Sequence, residues 1–257
     1  MRSISLITIK ELNEGKMPPW IRRFVKQTGK GINRFKMIKD RDKVLLGISG
    51  GKDSLALALA LSLRLKWLPI SYELKAIMIN WREYSINDEE TNKLKEFFKI
   101  LNIPFEIVKA NIFPESFNNK FNCYLCSRNK RRILFEYAKE YKITKIALGH
   151  HLDDFIETTI MNLCFRADFS TMKPVQDFFK GKIHIIRPMC EVRESTIFKL
   201  VRECELPVSV FNCPHKDTNL RSKIKPIIKQ LSHIDKLTRE HMFEAHNFED
   251  NLFIKND

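Results

Sequence analysis

The stretch that most restricts this chain is Gly47-Ile48-Ser49-Gly50-Gly51-Lys52-Asp53-Ser54, with apolar Val44-Leu45-Leu46 before it and an apolar run, residues 55–65, after it. A buried strand, a glycine-bearing turn and a helix in that order predict an α/β fold in which the turn lies beyond the strand's carboxyl end, where open parallel sheets bind ligands. The helix that follows aims its free N–H groups and positive dipole end at the same point. Gly50 and Gly51 let the backbone approach a ligand closely. Lys52 adds a full positive charge, and Ser49 and Ser54 add hydroxyl donors. Each element favours an anion. The Walker A pattern is excluded because Asp53 follows Lys52 and Leu46 stands where its first glycine belongs, and G-x-G-x-x-G is absent.

The rest of the chain repeats the alternation. Short segments rich in Val, Ile and Leu at 43–49, 73–80, 105–110, 144–149 and 182–188 predict five strands buried on both faces. Between them, 54–68, 88–101, 127–141 and 152–164 have helical spacing, which predicts a parallel five-stranded sheet with right-handed crossovers and helices on both faces. Three more helical patterns follow, at 191–205, 218–231 and 234–248. The expected organisation is a basic N-terminal helical segment over 1–40, one α/β domain over 41–215 and a C-terminal helical segment over 216–257.

Charge suggests the partner. The chain of 257 residues carries 45 Lys and Arg against 31 Asp and Glu, a net charge of +14, and such an excess attracts polyanions. The basic residues cluster. Residues 16–43 hold Lys16, Arg22, Arg23, Lys26, Lys30, Arg34, Lys36, Lys39, Arg41 and Lys43 against only Asp40 and Asp42. A second patch runs from Lys216 through Arg221, Lys223, Lys225 and Lys229. These clusters favour nucleic acid over scattered surface charge. No apolar run reaches the ~18 residues needed to span a bilayer, so no membrane partner is expected, and the opening residues are too charged for a secretory leader. The expected location is the cytoplasm.

Two further sites stand out. Gly149-His150-His151-Leu152-Asp153-Asp154 follows the fourth strand and faces the same sheet edge. Helix capping explains one of the two aspartates, and Asp154 is the candidate for chemistry. Six cysteines in a chain of this kind predict metal ligands, catalytic residues or core thiols rather than disulfides. Cys123 and Cys126 form C-x-x-C, and Cys213 lies in Asn212-Cys213-Pro214-His215 beyond the fifth strand. C-x-x-C alone fits a redox pair, half a zinc site or part of an iron–sulfur site. His215 offers zinc a fourth ligand, whereas three cysteines alone would leave a [4Fe–4S] cluster with one open iron. Cys164, Cys190 and Cys204 read as core thiols.

The stretch SGGKDS resembles the PP-loop of the ATP pyrophosphatases. Taken with Cys123-x-x-Cys126-Ser127-Arg128, GHHLDD and the lone downstream Cys213-Pro214, the pattern resembles the tRNA 2-thiocytidine synthetase (TtcA-like) family of tRNA thiolases over most of residues 30–230. The resemblance implies a PP-loop, adenine-nucleotide-hydrolase-like fold. It also implies adenylation of a tRNA base with release of pyrophosphate, and exchange of the carbonyl oxygen for sulfur with a [4Fe–4S] cluster. Carried over, Cys123, Cys126 and Cys213 are the cluster ligands, and Lys130 and Asp154 the catalytic pair. Gly47, Ser49, Gly50, Gly51, Lys52, Asp53, Ser54, Ile79 and Gly149 hold the nucleotide. ATP and Mg²⁺ are implied, Asp53 serving either to bind Mg²⁺ or to fix Lys52 and the loop. tRNA, a sulfur donor and a homodimer are the implied partners. One departure is that the residues after Cys213 come closer to the C-P-x₆-R pattern of tRNA-uridine thiolases. Thiolation of a uridine, a non-sulfur PP-loop ligase with a structural zinc, and a non-catalytic RNA-binding protein are the alternatives.

Overall fold

The apolar runs become strands and the amphipathic stretches helices in a computed structural model that describes residues 8–112, 123–209 and 220–247. The first half comprises α1 (Ile9–Asn13), α2 (Pro19–Arg34), β1 (Lys43–Ile48), α3 (Lys52–Leu65), β2 (Glu73–Trp81), α4 (Asp88–Ile100) and β3 (Phe105–Ala110). It continues with α5 (Cys123–Glu140), β4 (Lys145–Ala147), α6 (Leu152–Arg166), β5 (Val175–Phe178) and β6 (Ile183–Ile186). The last elements are α7 (Glu194–Cys204), α8 (Leu220–Ile234) and α9 (Thr238–Glu244).

The described strands form one six-stranded sheet in the order β3-β2-β1-β4-β6-β5. All neighbours pair in parallel except β5, which runs antiparallel to β6 with Val175 opposite Ile186 and Phe178 opposite Ile183. The expectation of five strands is therefore corrected to six. β5 is four residues long and carries Gln176 and Asp177, so it has no apolar run to announce it. Its pairing depends on the turn Phe179-Lys180-Gly181, all three in the left-handed region at φ 53°, 58° and 79°, which folds the segment back onto β6.

Strand alternation sorts the side chains into two layers. Val44, Leu46 and Ile48 of β1 and Ala76 and Met78 of β2 enter the larger core with α2, α3, α4, α6 and α7. Leu45, Ile77, Ile79, Ile146 and Ile185 face the other way and pack against Leu134, Tyr137 and Ala138 of α5. α3 is apolar nearly all round because it is enclosed: every residue from Ser54 to Arg64 is buried. α2 seats its apolar face in the same core, burying Ile21, Phe24, Val25 and Ile32. A side chain at Gly29 would overlap the guanidinium of Arg64 on α3, and Arg64 bonds Asn33 at 3.0 Å. Among the described residues no helix is long and apolar enough to cross a membrane.

The sheet order places the functional loops. After β1 the chain moves to β2 on one side, and β4 joins β1 on the other. The loops leaving β1 and β4 therefore diverge at a topological switch point, the site at which open α/β sheets bind ligands.

Candidate active site

The turn after β1 is wound by its own serines. The Ser54 hydroxyl donates to the Gly51 carbonyl at 2.9 Å and accepts from the Ser49 N–H at 3.2 Å. Gly51 N–H donates to the Ser49 hydroxyl at 3.3 Å. Gly50 sits at φ 75°, a conformation that costs glycine nothing, and its carbonyl accepts from Ser209 N–H at 2.9 Å. The chain beyond α7 thus closes on the loop. Lys52 Nζ lies 2.8 and 2.9 Å from the two Asp53 oxygens and 3.0 Å from Glu194, above the Phe198 ring. Burial alone would lower its pKa, but these two carboxylates outweigh burial and raise it.

The loop after β4 fits against this turn through Gly149. A side-chain carbon there would stand 2.7 Å from the Asp53 carbonyl carbon and 2.8 Å from Ser54 N, a distance at which the two loops must part. The adjacent aspartates divide their work. Asp153 accepts from Arg239 Nε of α9 at 2.6 Å and from Glu194 N–H at the start of α7 at 2.7 Å, a structural role. Asp154 accepts from His151 N–H at 3.0 Å and from Arg221 of α8 at 3.4 Å. Burial pushes its carboxyl pKa up, yet His151, His150, the N–H bond and Arg221 together bring it below the ordinary value. Desolvation of the half-buried His150 ring, with Arg187 nearby, brings its pKa down to about 4. It is neutral at pH 7.

Gly47, Ser49, Asp53, Ser54, Cys126, Lys130, Gly149 and Asp154, all singled out from the sequence, line one cleft of about 650 Å³. Cys126 and Lys130 stand one turn apart on α5, so both face it. Desolvation lowers the Lys130 pKa, partly offset by Cys126, and among the described residues no carboxylate pairs with this amine. Gly50, Gly51 and Lys52 belong to the loop but do not line the cleft. Ile79 packs in the α5-side core at 4% exposure and does not line it either. Cys123 begins α5. Cys213 and His215 lie outside the described residues, among which no group of three or more His, Cys, Asp or Glu is arranged to hold a metal ion. Of the remaining cysteines, Cys190 and Cys204 are core thiols as expected, but Cys164 is exposed. It falls on the outward face near the end of α6, beside exposed Leu163 and Phe165.

Several groups in and around the cleft were missed in the sequence. Arg187, the residue after β6, is 6% exposed and lines the cleft with Arg131, Gln176 and Arg221. The signal was available, since Arg187 follows a strand's carboxyl end just as the glycine loop does. Glu194 gave no such signal, and Lys225 was read only as one of a basic patch, because α7 and α8 deliver them to the site through tertiary packing. Lys225 Nζ meets Glu194 at 3.0 Å and buried Glu157 at 3.6 Å.

Comparison with known proteins agrees with this layout. The model of a PP-loop domain family matches residues 22–211. The chain is 33% identical over 232 residues to the tRNA-cytidine(32) 2-sulfurtransferase of Paraburkholderia xenovorans, covering 87% of this chain and 67% of that protein. It is 35% identical over 216 residues to tRNA-cytidine(32) 2-sulfurtransferase 1 of Francisella tularensis subsp. novicida, covering 81% and 79%. In fold it is similar to the U34-tRNA thiolase NcsA from Methanococcus maripaludis, solved with its [4Fe–4S] cluster. That match has a TM-score of 0.73 and 24% identity over 92% of this chain and 80% of the other.

Proposed function

Because this chain belongs to the tRNA-cytidine 2-sulfurtransferase family of PP-loop proteins, we propose that it spends ATP to activate the C2 carbonyl of a tRNA cytidine and replaces that oxygen with sulfur. The observation that carries this reading is a shared cleft: the loop after β1 and the first turns of α5, with Cys126 and Lys130, open onto the same space.

The chain's own groups fit the parts of such a reaction. The α3 N-terminus, Ser49 and Ser54 hold the pyrophosphate portion of ATP, and Gly149 keeps the second loop close enough to enclose it. Asp53 lines the cleft at 33% side-chain exposure, and its carboxylate, which fixes Lys52 here, would hold Mg²⁺ by giving up that contact; the ion would offset phosphate charge when bound. Cys126 faces the cleft, and the proposed cluster ligands are Cys126, Cys123 on the same turn and Cys213. These three cysteines would hold a [4Fe–4S] cluster, which when bound would supply the sulfur-transfer chemistry. Lys130, desolvated and without a paired carboxylate among the described residues, stabilises negative charge that develops on the reacting oxygen. Ionised Asp154 accepts a hydrogen bond from the target base and orients it. The base reaches the cleft by flipping out of its stack. The basic segments over 1–40 and 216–257 grip tRNA phosphates on either side of the domain over 41–215. A separate donor provides the sulfur, the working form is a homodimer, and the protein acts in the cytoplasm.

The test is anaerobic purification followed by incubation with ATP, Mg²⁺, sulfide and tRNA. The expected result is a brown protein with about four irons per chain that yields AMP, pyrophosphate and 2-thiocytidine in equal amounts, the nucleoside identified by mass spectrometry. A thiouridine product would reassign the base. Pyrophosphate release without any thionucleoside would point to a non-sulfur ligase.

A further inference from the structure

The cleft holds two cationic side chains that the loop chemistry does not use. Arg187 extends from the carboxyl end of β6, and Arg131 stands on α5 beside Lys130. Both line the cleft. Arg187 is anchored by Nη1 to the Lys173 carbonyl at 2.5 Å and by Nη2 to Gln176 Oε1 at 3.3 Å. Its Nε is buried without a hydrogen-bond partner among the described residues, as is Nδ1 of neighbouring His150, which lines the same wall. Among the described residues neither arginine has a carboxylate within ion-pair range. After desolvation, the influence felt most by Arg187 is the like charge of Arg131, ahead of Asp154.

Two guanidinium groups that repel one another in a partly desolvated wall are costly unless an anion joins them. Arginine also presents the fork that matches phosphate oxygens in pairs. Because the glycine loop and the α3 N-terminus already account for the pyrophosphate portion of ATP, the remaining anion in the reaction is the α-phosphate. We propose that Arg187 and Arg131 are further catalytic residues that hold the α-phosphate of ATP and then the AMP attached to the base.

This inference rests on the ATP-dependent reading above. In the first step the base oxygen forms a bond to the α-phosphorus while the bond to the β-phosphate oxygen breaks, and pyrophosphate leaves. In the second, hydrosulfide forms the C–S bond, the C–O bond breaks, AMP departs with the former carbonyl oxygen, and the sulfur's proton passes to solvent. The α-phosphate is present throughout, whereas pyrophosphate is gone after the first step. The arginine pair therefore has to hold a group that the glycine loop does not.

Calorimetric binding of AMP and of inorganic pyrophosphate, each with Mg²⁺, separates the two subsites. R131A changes a side chain that is only half-buried, and R187K keeps the buried charge but removes the fork. Each variant is expected to weaken AMP binding tenfold or more while leaving pyrophosphate binding within twofold and tRNA binding unchanged. Equal losses for AMP and pyrophosphate, or unchanged AMP affinity, would overturn the assignment. So would a tenfold loss of tRNA affinity with AMP unaffected, which would give the pair to a backbone phosphate of the RNA. If R187K fails to fold by circular dichroism, R131A decides alone. A wild-type protein that binds neither AMP nor pyrophosphate would instead sink the ATP reading, and is distinguishable because no variant is involved.

Discussion

Lys52 Nζ and Lys225 Nζ share one carboxylate oxygen: each lies 3.0 Å from Glu194 Oε1. A residue at the start of α7 thereby ties the glycine loop after β1 to α8, the basic helix in the C-terminal segment. The same helix reaches Asp154 through Arg221 one turn earlier.

Neutralising that carboxylate leaves two ammonium groups facing each other with Asp53 as the remaining counter-ion to Lys52. E194Q is expected to lower the stability of the ATP-free protein by about 1–2 kcal/mol, the range for breaking a pair between buried and exposed limits. Nucleotide phosphates supply the missing countercharge, so ATP should raise the melting temperature of E194Q by more than it raises that of the wild type. Thermal denaturation with and without ATP measures both effects. An equal ATP shift in the two proteins would show that Glu194 does not balance Lys52.

Gly149 is a position where one methyl group has a defined collision. The side-chain carbon of G149A would meet the Asp53 carbonyl carbon at 2.7 Å, and backbone cannot rotate away as a flexible side chain does. The expected cost is about 1–3 kcal/mol of stability, typical of overpacking, with ATP affinity reduced at least tenfold because the loop that would bind pyrophosphate is displaced. Chemical denaturation and calorimetric ATP titration test this, and unchanged affinity would remove the second loop from the nucleotide site.

What could be read in the sequence was what is local. The strand, glycine turn and helix around residues 47–54, the GHHLDD stretch and the C-x-x-C turn each declare themselves within a dozen residues, and sheet topology brings the first two to one edge. β5 escaped because a four-residue strand with Gln176 and Asp177 owes its existence to β6 and not to its own pattern. Glu194 escaped, and Arg221 and Lys225 were read only as part of a basic patch, because helices packed from elsewhere in the chain carry all three to the site. The neighbouring aspartates show the limit most clearly. One was expected to be structural, and the structure gives Asp153 to Arg239 and the α7 N-terminus, a pairing that no spacing between residues 153 and 239 encodes.

Cysteine reactivity follows burial. Cys164 is exposed, whereas burial raises the Cys190 thiol far above its ordinary value and the Cys204 thiol to about 12. The thiolate is the reactive form. Iodoacetamide at pH 8 should therefore label Cys164 in the folded protein at least a hundredfold faster than Cys190 or Cys204, with all three equivalent in denaturant. Peptide mass spectrometry over a time course reads each site separately, and rapid native labelling of Cys204 would contradict its placement in the core.

Glu157 gives the chain a specific dependence on pH. It lies one turn beyond Asp153 and Asp154 on α6 with its side chain 4% exposed. Burial raises its pKa to about 7, with Lys225 offsetting part of that effect. A carboxyl whose folded pKa exceeds its unfolded value binds its proton more tightly in the native state. Its contribution is fully present below the unfolded value near 4.5 and is lost as pH rises through 7. The span corresponds to an energy of about 3 kcal/mol. His150, with its pKa brought down to about 4, acts in the opposite sense, its stabilisation falling away as pH drops from the ordinary histidine value. Because His150 is present in both proteins, comparing wild type with E157Q isolates the carboxyl. From pH 4.5 to pH 8 the stability of E157Q relative to wild type should improve by about 2–3 kcal/mol, measured by urea denaturation at intervals of half a pH unit. A difference that stays constant across that range would mean Glu157 is ionised in the native protein throughout, with the Lys225 ammonium outweighing its burial.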